Sequence, residues 1–256
     1  MMSNSPLAVH TRISPHRTSP RNARIDTITI HCVAGNLTIE SLGAWFANPA
    51  TKASSNYGVG SDGRVGMYVE EKDRSWCTSS GANDNRAITI EVANTEARHP
   101  WPVSDNALEA LISLCGDICR RNGIMQLQWS TDKNKPGNMT VHRWFANKAC
   151  PGDYLYLRHG HIAAEVNKRL KGDEDMALLD EVRKIDGLEN VKESDVAAVI
   201  GSLMRDTVVH GGVHPSIKDA YKMAVSEGIT DGNNPGMPAT RAETAVMVRR
   251  AFSRLR

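Results

Sequence analysis

The stretch DTITIH, residues 26–31, decides the fold because its side chains alternate between apolar and polar, as those of a β-strand do. Its isoleucines fall on one face, and its threonines and His31 fall on the other. The same alternation recurs in AITIEVAN, residues 87–94, where Glu91 falls on the polar face. Both segments are predicted to be half-buried strands.

Segments with other periodicities surround these strands. Helical spacing of apolar residues predicts helices, and Asp-Gly in a short alternating stretch predicts the turn of a hairpin. Residues 1–24 show no periodicity and are predicted to be an extended lead-in. The remaining predicted elements are helices over 38–49, 104–121 and 159–170, a hairpin over 54–69 and a short strand over 139–142. This alternation of strands and helices predicts an α/β fold with helices packed on a sheet.

Composition excludes several classes of protein. The 31 basic and 29 acidic residues leave a net charge of +2, so no basic field points to a nucleic-acid partner. No apolar run approaches the ~20 residues that cross a bilayer, and the first residues do not resemble a secretory signal peptide. Five cysteines, an odd number, argue against a disulfide framework. We therefore expect a protein made in the reducing cytoplasm.

The composition and periodicity of the chain change after residue 170. KGDEDM, residues 171–176, is short, polar and acidic, which is typical of a linker. Beyond it, helical segments separated by Gly, Asn and Pro predict a small all-α domain. The predicted domains are residues 1–170 and 177–256.

Four side chains are candidates for chemistry. If the two alternating strands share a sheet, His31 and Glu91 open into the same cleft. His142 ends a third predicted strand, and its loop leads to Cys150. Two imidazoles and one thiolate are good zinc ligands and leave a fourth position for water, as catalytic zinc sites do. Taken singly, a strand histidine is more often satisfied by hydrogen bonds, and a strand glutamate usually faces solvent.

Another pair of cysteines lies on the longest predicted helix. Cys115 and Cys119 share one helical face, which invites a metal-site interpretation. The rest of that face is aliphatic. Core packing is therefore the prediction for both thiols.

Four segments resemble a known family in order and spacing: TITIHCVAG, SSNYGVGSDGRVGMYVEEKDRSWC, AITIEVAN and VHRWFANKACPGDYL. They are similar to the zinc-dependent N-acetylmuramoyl-L-alanine amidases related to peptidoglycan recognition proteins, in particular endolysins from phages and prophages of Gram-positive bacteria. The resemblance covers residues 25 to about 170. It implies a mixed central sheet flanked by helices, with a zinc cleft on one side. It also implies hydrolysis of the amide bond between N-acetylmuramic acid and L-alanine.

The resemblance also implies roles for individual residues. His31, His142 and Cys150 match the zinc ligands. Glu91 matches the carboxylate that takes a proton from the attacking water, and Lys148 matches the position that stabilises the oxyanion. The residues expected to contact the substrate are Tyr57, Trp76 and Asn94, although Tyr57 could equally be a packing residue. Many relatives have histidine where this chain has Cys77, so substrate preference is open.

The C-terminal part resembles a different module. Residues 214–252 are similar to a surface-layer-homology motif, which implies binding to a secondary cell-wall polymer. The alternative is a helical bundle that makes the enzyme a homo-oligomer. A further hypothesis is that Met176 is an internal translation start, which would supply a separate C-terminal fragment as a partner.

The function predicted from these features is that of an endolysin acting on peptidoglycan, with no membrane or nucleic-acid partner. A non-catalytic peptidoglycan-binding protein and a host autolysin for wall remodelling are the alternatives. We expect the protein to remain cytoplasmic until it is released to the cell wall, because no export signal is recognised.

Overall fold

We describe the chain from a computed structural model that covers residues 4–183 and residue 192, with side chains for residues 4–172 and residue 192. The chain divides into two units, Met1–Leu170 and Lys171–Arg256. Most of the predicted domain 177–256 lies outside the described residues. Its all-α character, its wall-binding role and the internal start at Met176 stay predictions.

A mixed β-sheet forms the centre of the first unit. Within residues 4–183 the strands are β1 Ala8–Thr11, β2 Arg17–Thr18, β3 Thr27–Cys32, β4 Tyr57–Val59, β5 Val65–Met67, β6 Arg74–Ser75, β7 Ala87–Val92 and β8 Met139–Thr140. Six of them lie in the order β1-β5-β4-β7-β3-β8, and β4 and β5 form the one antiparallel pair in that sheet. β2 and β6 form a separate antiparallel pair.

Helices flank this sheet, as predicted. They are α1 Ile39–Ala47, α2 Gly81–Arg86, α3 Asp105–Asn122 and α4 Gly152–Arg183, together with a short 3-10 helix, His142–Trp144. Thr38 caps α1 by accepting a hydrogen bond from the Ser41 N–H. Gly123 adopts a φ of 67°, the left-handed conformation that commonly ends a helix, just beyond α3. The mixed sheet and these helices confirm the predicted fold class.

The hydrophobic core lies on the isoleucine face of β3 and β7. Side chains of α3 and α4 pack against that face, and the isoleucines of both strands are fully buried. Cys115 and Cys119 are 0% exposed within the same core, so the prediction of packing thiols is confirmed.

The opposite face of the sheet is also buried, which corrects the prediction of half-buried strands. The hydroxyls of Thr29 in β3 and Thr140 in β8 lie 2.7 Å apart. Asn83 of α2 donates to the Thr29 hydroxyl at 3.0 Å and accepts from the Thr140 hydroxyl at 2.9 Å. Because these three polar side chains satisfy one another, this part of the polar face is covered without needing contact with water.

The N-terminal lead-in is partly a strand, which corrects a second prediction. β1 runs parallel to β5 at the edge of the sheet. The chain continues the pairing where the Arg12 N–H donates to the carbonyl of Met67. These hydrogen bonds join residues more than fifty positions apart, so no local pattern in residues 1–24 predicts them.

Two boundaries differ from their predictions. β8 ends at Thr140, and His142 begins the 3-10 helix instead of ending a strand. α4 starts at Gly152 and continues to Arg183, so the predicted linker 171–176 is helical. Among the described residues, no helix has both the length and the apolar composition that crossing a membrane requires.

Close packing at β4 yields a test of the fold. A Cβ at Gly58 would lie 2.7 Å from a ring carbon of Tyr68 and 2.8 Å from Leu42. We expect Gly58→Ala to lower the free energy of unfolding by about 1–3 kcal/mol, because the buried ring must shift. Chemical denaturation measures this change. Gly35→Ala is the matched control, since a Cβ there meets nothing within 4 Å, and an equal loss in both variants would contradict the packing argument.

Candidate metal centre

The centre is built on the pairing of β3 with β7. The two strands run parallel with His31 directly opposite Glu91, so both side chains leave the same face of the sheet. The His31 side chain is fully buried, and the Glu91 side chain is 15% exposed. Nδ1 of His31 lies 3.9 Å from Oε1 of Glu91. The two strands therefore share a sheet and the two side chains share one of its faces, whereas the cleft expected from the sequence stays a prediction.

Two further donors reach this point from one loop. His142 comes from the start of the 3-10 helix, and Cys150 comes from the turn before α4. Single donor atoms of His31, His142 and Cys150 all lie within 4.8 Å of one another. The Cys150 sulfur is 3.3 Å from Nδ1 of His31, and the two imidazole rings are 5.2 Å apart. Two nitrogens and one sulfur at such separations can bind a zinc-like cation.

Both imidazoles are neutral at physiological pH, which is the form that binds a metal. Burial, together with the neighbouring His142 and His159, lowers the pKa of His31 to about 3. Burial also lowers the pKa of His142, and the charge of Lys148 acts in the same direction. The exposed Lys148 ammonium therefore lies close enough to influence this side of the centre.

The surroundings of the Cys150 thiol and of the Glu91 carboxyl group disfavour ionisation of both. A hydrogen bond shared with the Cys32 thiol raises the pKa of Cys150, and burial and the charge of Glu91 raise it further. Burial raises the pKa of Glu91 well above its usual range, with Cys32 as the second cause. Oε2 of Glu91 is buried and has no hydrogen-bond partner. Such an unpaired buried atom marks a place where a ligand or water is expected.

A loop over residues 77–80 contacts the centre at Glu91 and at His142. The carboxylate of Asp84 fixes this loop by accepting from the backbone N–H groups of Cys77 and Thr78. The Ser79 hydroxyl lies 3.1 Å from Nε2 of His142, and Ser79 has a positive φ of 63°. A hydrogen bond to one ring nitrogen orients a metal-binding histidine and leaves the other nitrogen for the cation. Sequence reasoning did not identify this loop. One signal was present, because serine is a preferred N-cap residue and Ser80 caps α2 by accepting from the Asn83 N–H.

Arg143 joins the start and the end of the loop that carries His142 and Cys150. Its backbone N–H donates to the carbonyl of Cys150 at 3.2 Å, and its guanidinium donates to the carbonyl of Ala149 and to Asp153. These bonds fix the Cys150 turn relative to His142. No pattern in the sequence distinguished Arg143 from any other surface arginine.

The three residues predicted to bind substrate lie in different environments. Tyr57 is 0% exposed and belongs to the core on the isoleucine side of the sheet, so its prediction as a cleft residue is wrong. Asn94 is also fully buried, where it accepts from the Ala34 N–H and donates to the Trp101 carbonyl. It therefore joins two loops of the protein. Trp76 is 39% exposed, and its indole N–H donates to the Thr18 hydroxyl, so a role in substrate contact stays a prediction.

The sequence pattern of one family, described as N-acetylmuramoyl-L-alanine amidase, matches residues 21–153. None of the curated proteins matches the chain. Among solved structures, PlyL has 14% identity and a TM-score of 0.48, over 62% of this chain and 96% of its own. A mutant endolysin from Bacillus subtilis has 16% identity and a TM-score of 0.48, over 61% and 97%. The N-acetylmuramoyl-L-alanine amidase LysC from Clostridium intestinale has 15% identity and a TM-score of 0.41, over 57% and 88%.

The environment of Tyr57 gives a prediction that separates packing from substrate binding. Its hydroxyl donates to Oε1 of Glu71 at 2.7 Å and accepts from the Ser5 N–H at 2.8 Å. We expect Tyr57→Phe to lower the free energy of unfolding by about 1–3 kcal/mol, because both partners lose a buried hydrogen bond. Binding to cell walls should not change. Denaturation and wall sedimentation measure the two effects, and weaker wall binding at unchanged stability would restore Tyr57 to the substrate site.

Proposed function

The chain belongs to the N-acetylmuramoyl-L-alanine amidase family, and from that premise we propose that it hydrolyses the amide bond between N-acetylmuramic acid and L-alanine in peptidoglycan with zinc as cofactor. One observation carries the proposal. His31, His142 and Cys150 converge beside the buried carboxyl group of Glu91, and all four lie within the matched residues 21–153.

The side chains fit zinc as the resident cation. Neutral imidazoles and a cysteine are the donors that zinc prefers, and three protein ligands leave a position open for chemistry. Zinc bound by His31, His142 and Cys150 would polarise the scissile carbonyl and lower the pKa of a water molecule.

Glu91 is the proposed general base. Its unpaired Oε2 can accept a proton from the attacking water without first breaking a hydrogen bond within the protein. Its raised pKa makes the carboxylate a stronger base than that of an exposed glutamate. The proton gained at this carboxyl group can then pass to the amine of alanine as the carbon–nitrogen bond breaks.

Lys148 is the proposed electrostatic partner of the transition state. It is exposed, and its charge acts on His142, which supports an ammonium close to the proposed zinc position. A fixed positive charge there stabilises the negative oxygen of the tetrahedral intermediate more than it stabilises the neutral carbonyl of the substrate.

The biological role is a further part of the proposal. We propose an endolysin of a phage or prophage of a Gram-positive host, kept in the cytoplasm until release, in which residues 177–256 bind a secondary cell-wall polymer. The resemblance of residues 214–252 to a surface-layer-homology motif supports this. A host autolysin and a binding-only peptidoglycan receptor are the competing roles.

Glu91→Gln tests the reaction and the base together. We expect the variant to release L-alanine amino termini from purified Gram-positive walls about 10²–10⁴-fold more slowly, because the amide cannot accept the proton. It should keep one tightly bound zinc, which elemental analysis measures. Zinc-stripped wild-type protein should be inactive and should recover when zinc is restored.

The same assay separates the alternatives. Release of reducing sugar ends in place of alanine termini would identify a glycosidase and contradict the proposal. Tight wall binding by the wild type with neither product would favour the receptor.

Lys148→Met tests the oxyanion role. We expect kcat to fall about 10²–10³-fold with little change in KM, because the charge acts mainly on the transition state. Lys135→Met, which removes another exposed lysine, is the matched control. A rise in KM at constant kcat would instead assign Lys148 to substrate binding.

A further inference from the structure

A second set of metal-binding donors shares His31 with the first. Single donor atoms of His31, Cys77 and Glu91 also lie within 4.8 Å of one another. Oε1 of Glu91 is 3.9 Å from the Cys77 sulfur and 3.9 Å from Nδ1 of His31. Ligand atoms around a tetrahedral zinc ion are about 3.3–3.8 Å apart, given bonds of roughly 2.0–2.3 Å. A shift of a few tenths of an ångström would therefore bring Oε1 of Glu91 and the Cys77 sulfur to the separation of two ligands of one cation.

We propose that Cys77 and Glu91 form a second cation position, adjacent to the proposed zinc position, that takes an excess soft divalent cation such as Zn²⁺ or Cd²⁺. The inference rests on the proposed function, because it assumes that the first cation occupies His31, His142 and Cys150. One imidazole nitrogen binds one cation, so His31 serves the first position. The second position then has the Cys77 sulfur and both oxygens of Glu91.

The charges at the second position favour a cation. When it binds, the Cys77 thiol releases its proton to water, and the thiolate and the Glu91 carboxylate together offset the two positive charges. Repulsion from the first cation lowers the affinity of the second position for its cation. The second position should therefore fill only when the cation is in excess.

Both donors are held in place before a cation arrives. Glu91 lies on the central strand β7, and Asp84 accepts from the backbone N–H of Cys77 at 3.1 Å. Oε2 of Glu91 is buried without a hydrogen-bond partner, so a cation that binds this oxygen displaces no contact there, and it replaces the hydrogen bond from the Cys77 thiol to Oε1. Fixed donors lose little conformational freedom on binding, which favours affinity.

A cation at this position has a functional consequence. A carboxylate that binds a cation through its oxygens cannot accept a proton from the attacking water. An excess of cation should therefore inhibit the amidase reaction by occupying its general base. This makes Cys77 the residue that determines sensitivity to excess soft metal.

The test is a titration of the full-length protein with Cd²⁺, followed by thiolate-to-cadmium absorption. We expect two steps in the wild type and the loss of the second step alone in Cys77→Ser. Cys119→Ala is the control, because that thiol is buried in the helical core away from both donor sets, and it should keep both steps. One step in the wild type, or two steps in Cys77→Ser, would overturn the proposal.

Two further measurements separate this proposal from the proposed function. Cys150→Ser should lose the first step, and its persistence would contradict the primary zinc position whatever Cys77→Ser shows. Wild-type wall hydrolysis should be inhibited by excess Zn²⁺, and Cys77→Ser should need at least about tenfold more Zn²⁺ for the same inhibition. Equal inhibition of both proteins would overturn the assignment of Glu91 to the second position.

Discussion

The parallel register of β3 and β7 is the constraint on which the rest of the site depends. It sets His31 opposite Glu91 on one face and packs the isoleucines of both strands into the core on the other. A slip of one residue would place an apolar side chain of β7 beside His31. Both faces of the pair resist such a slip, because the polar face is joined to β8 and α2 by the hydrogen bonds of Thr29 and Asn83.

Two loops add donors to those on the strands, and one charged residue, Asp84 or Arg143, fixes each loop. Asp84 binds the backbone of residues 77–80, which brings Cys77 to Glu91. Arg143 donates to the carbonyls of Ala149 and Cys150, which fixes the sulfur against His31. Donors from separate parts of the chain thus lie close together at one point.

A cation would change the protonation of the centre. Burial favours the neutral forms of the imidazoles, the thiol and the carboxyl group alike, and Oε2 of Glu91 lacks a partner. A divalent cation would favour the ionised Cys150 and Glu91 while leaving the histidines neutral. A cation beside Cys77 would likewise favour its thiolate form. One small region can therefore offer two sets of donors.

The sequence alone determined the strands and helices with strong periodicity, and family resemblance pointed to His31, His142 and Cys150. Its local patterns could not place Tyr57, because the pattern of the short strand β4 does not say which of its faces enters the core. The tertiary structure alone decided that β1 joins the sheet, that the polar face is buried, and that Asp84 and Arg143 fix the loops. The physical reason is that periodicity reports the conformation of neighbours in the chain, whereas burial and hydrogen bonding depend on residues far apart in it.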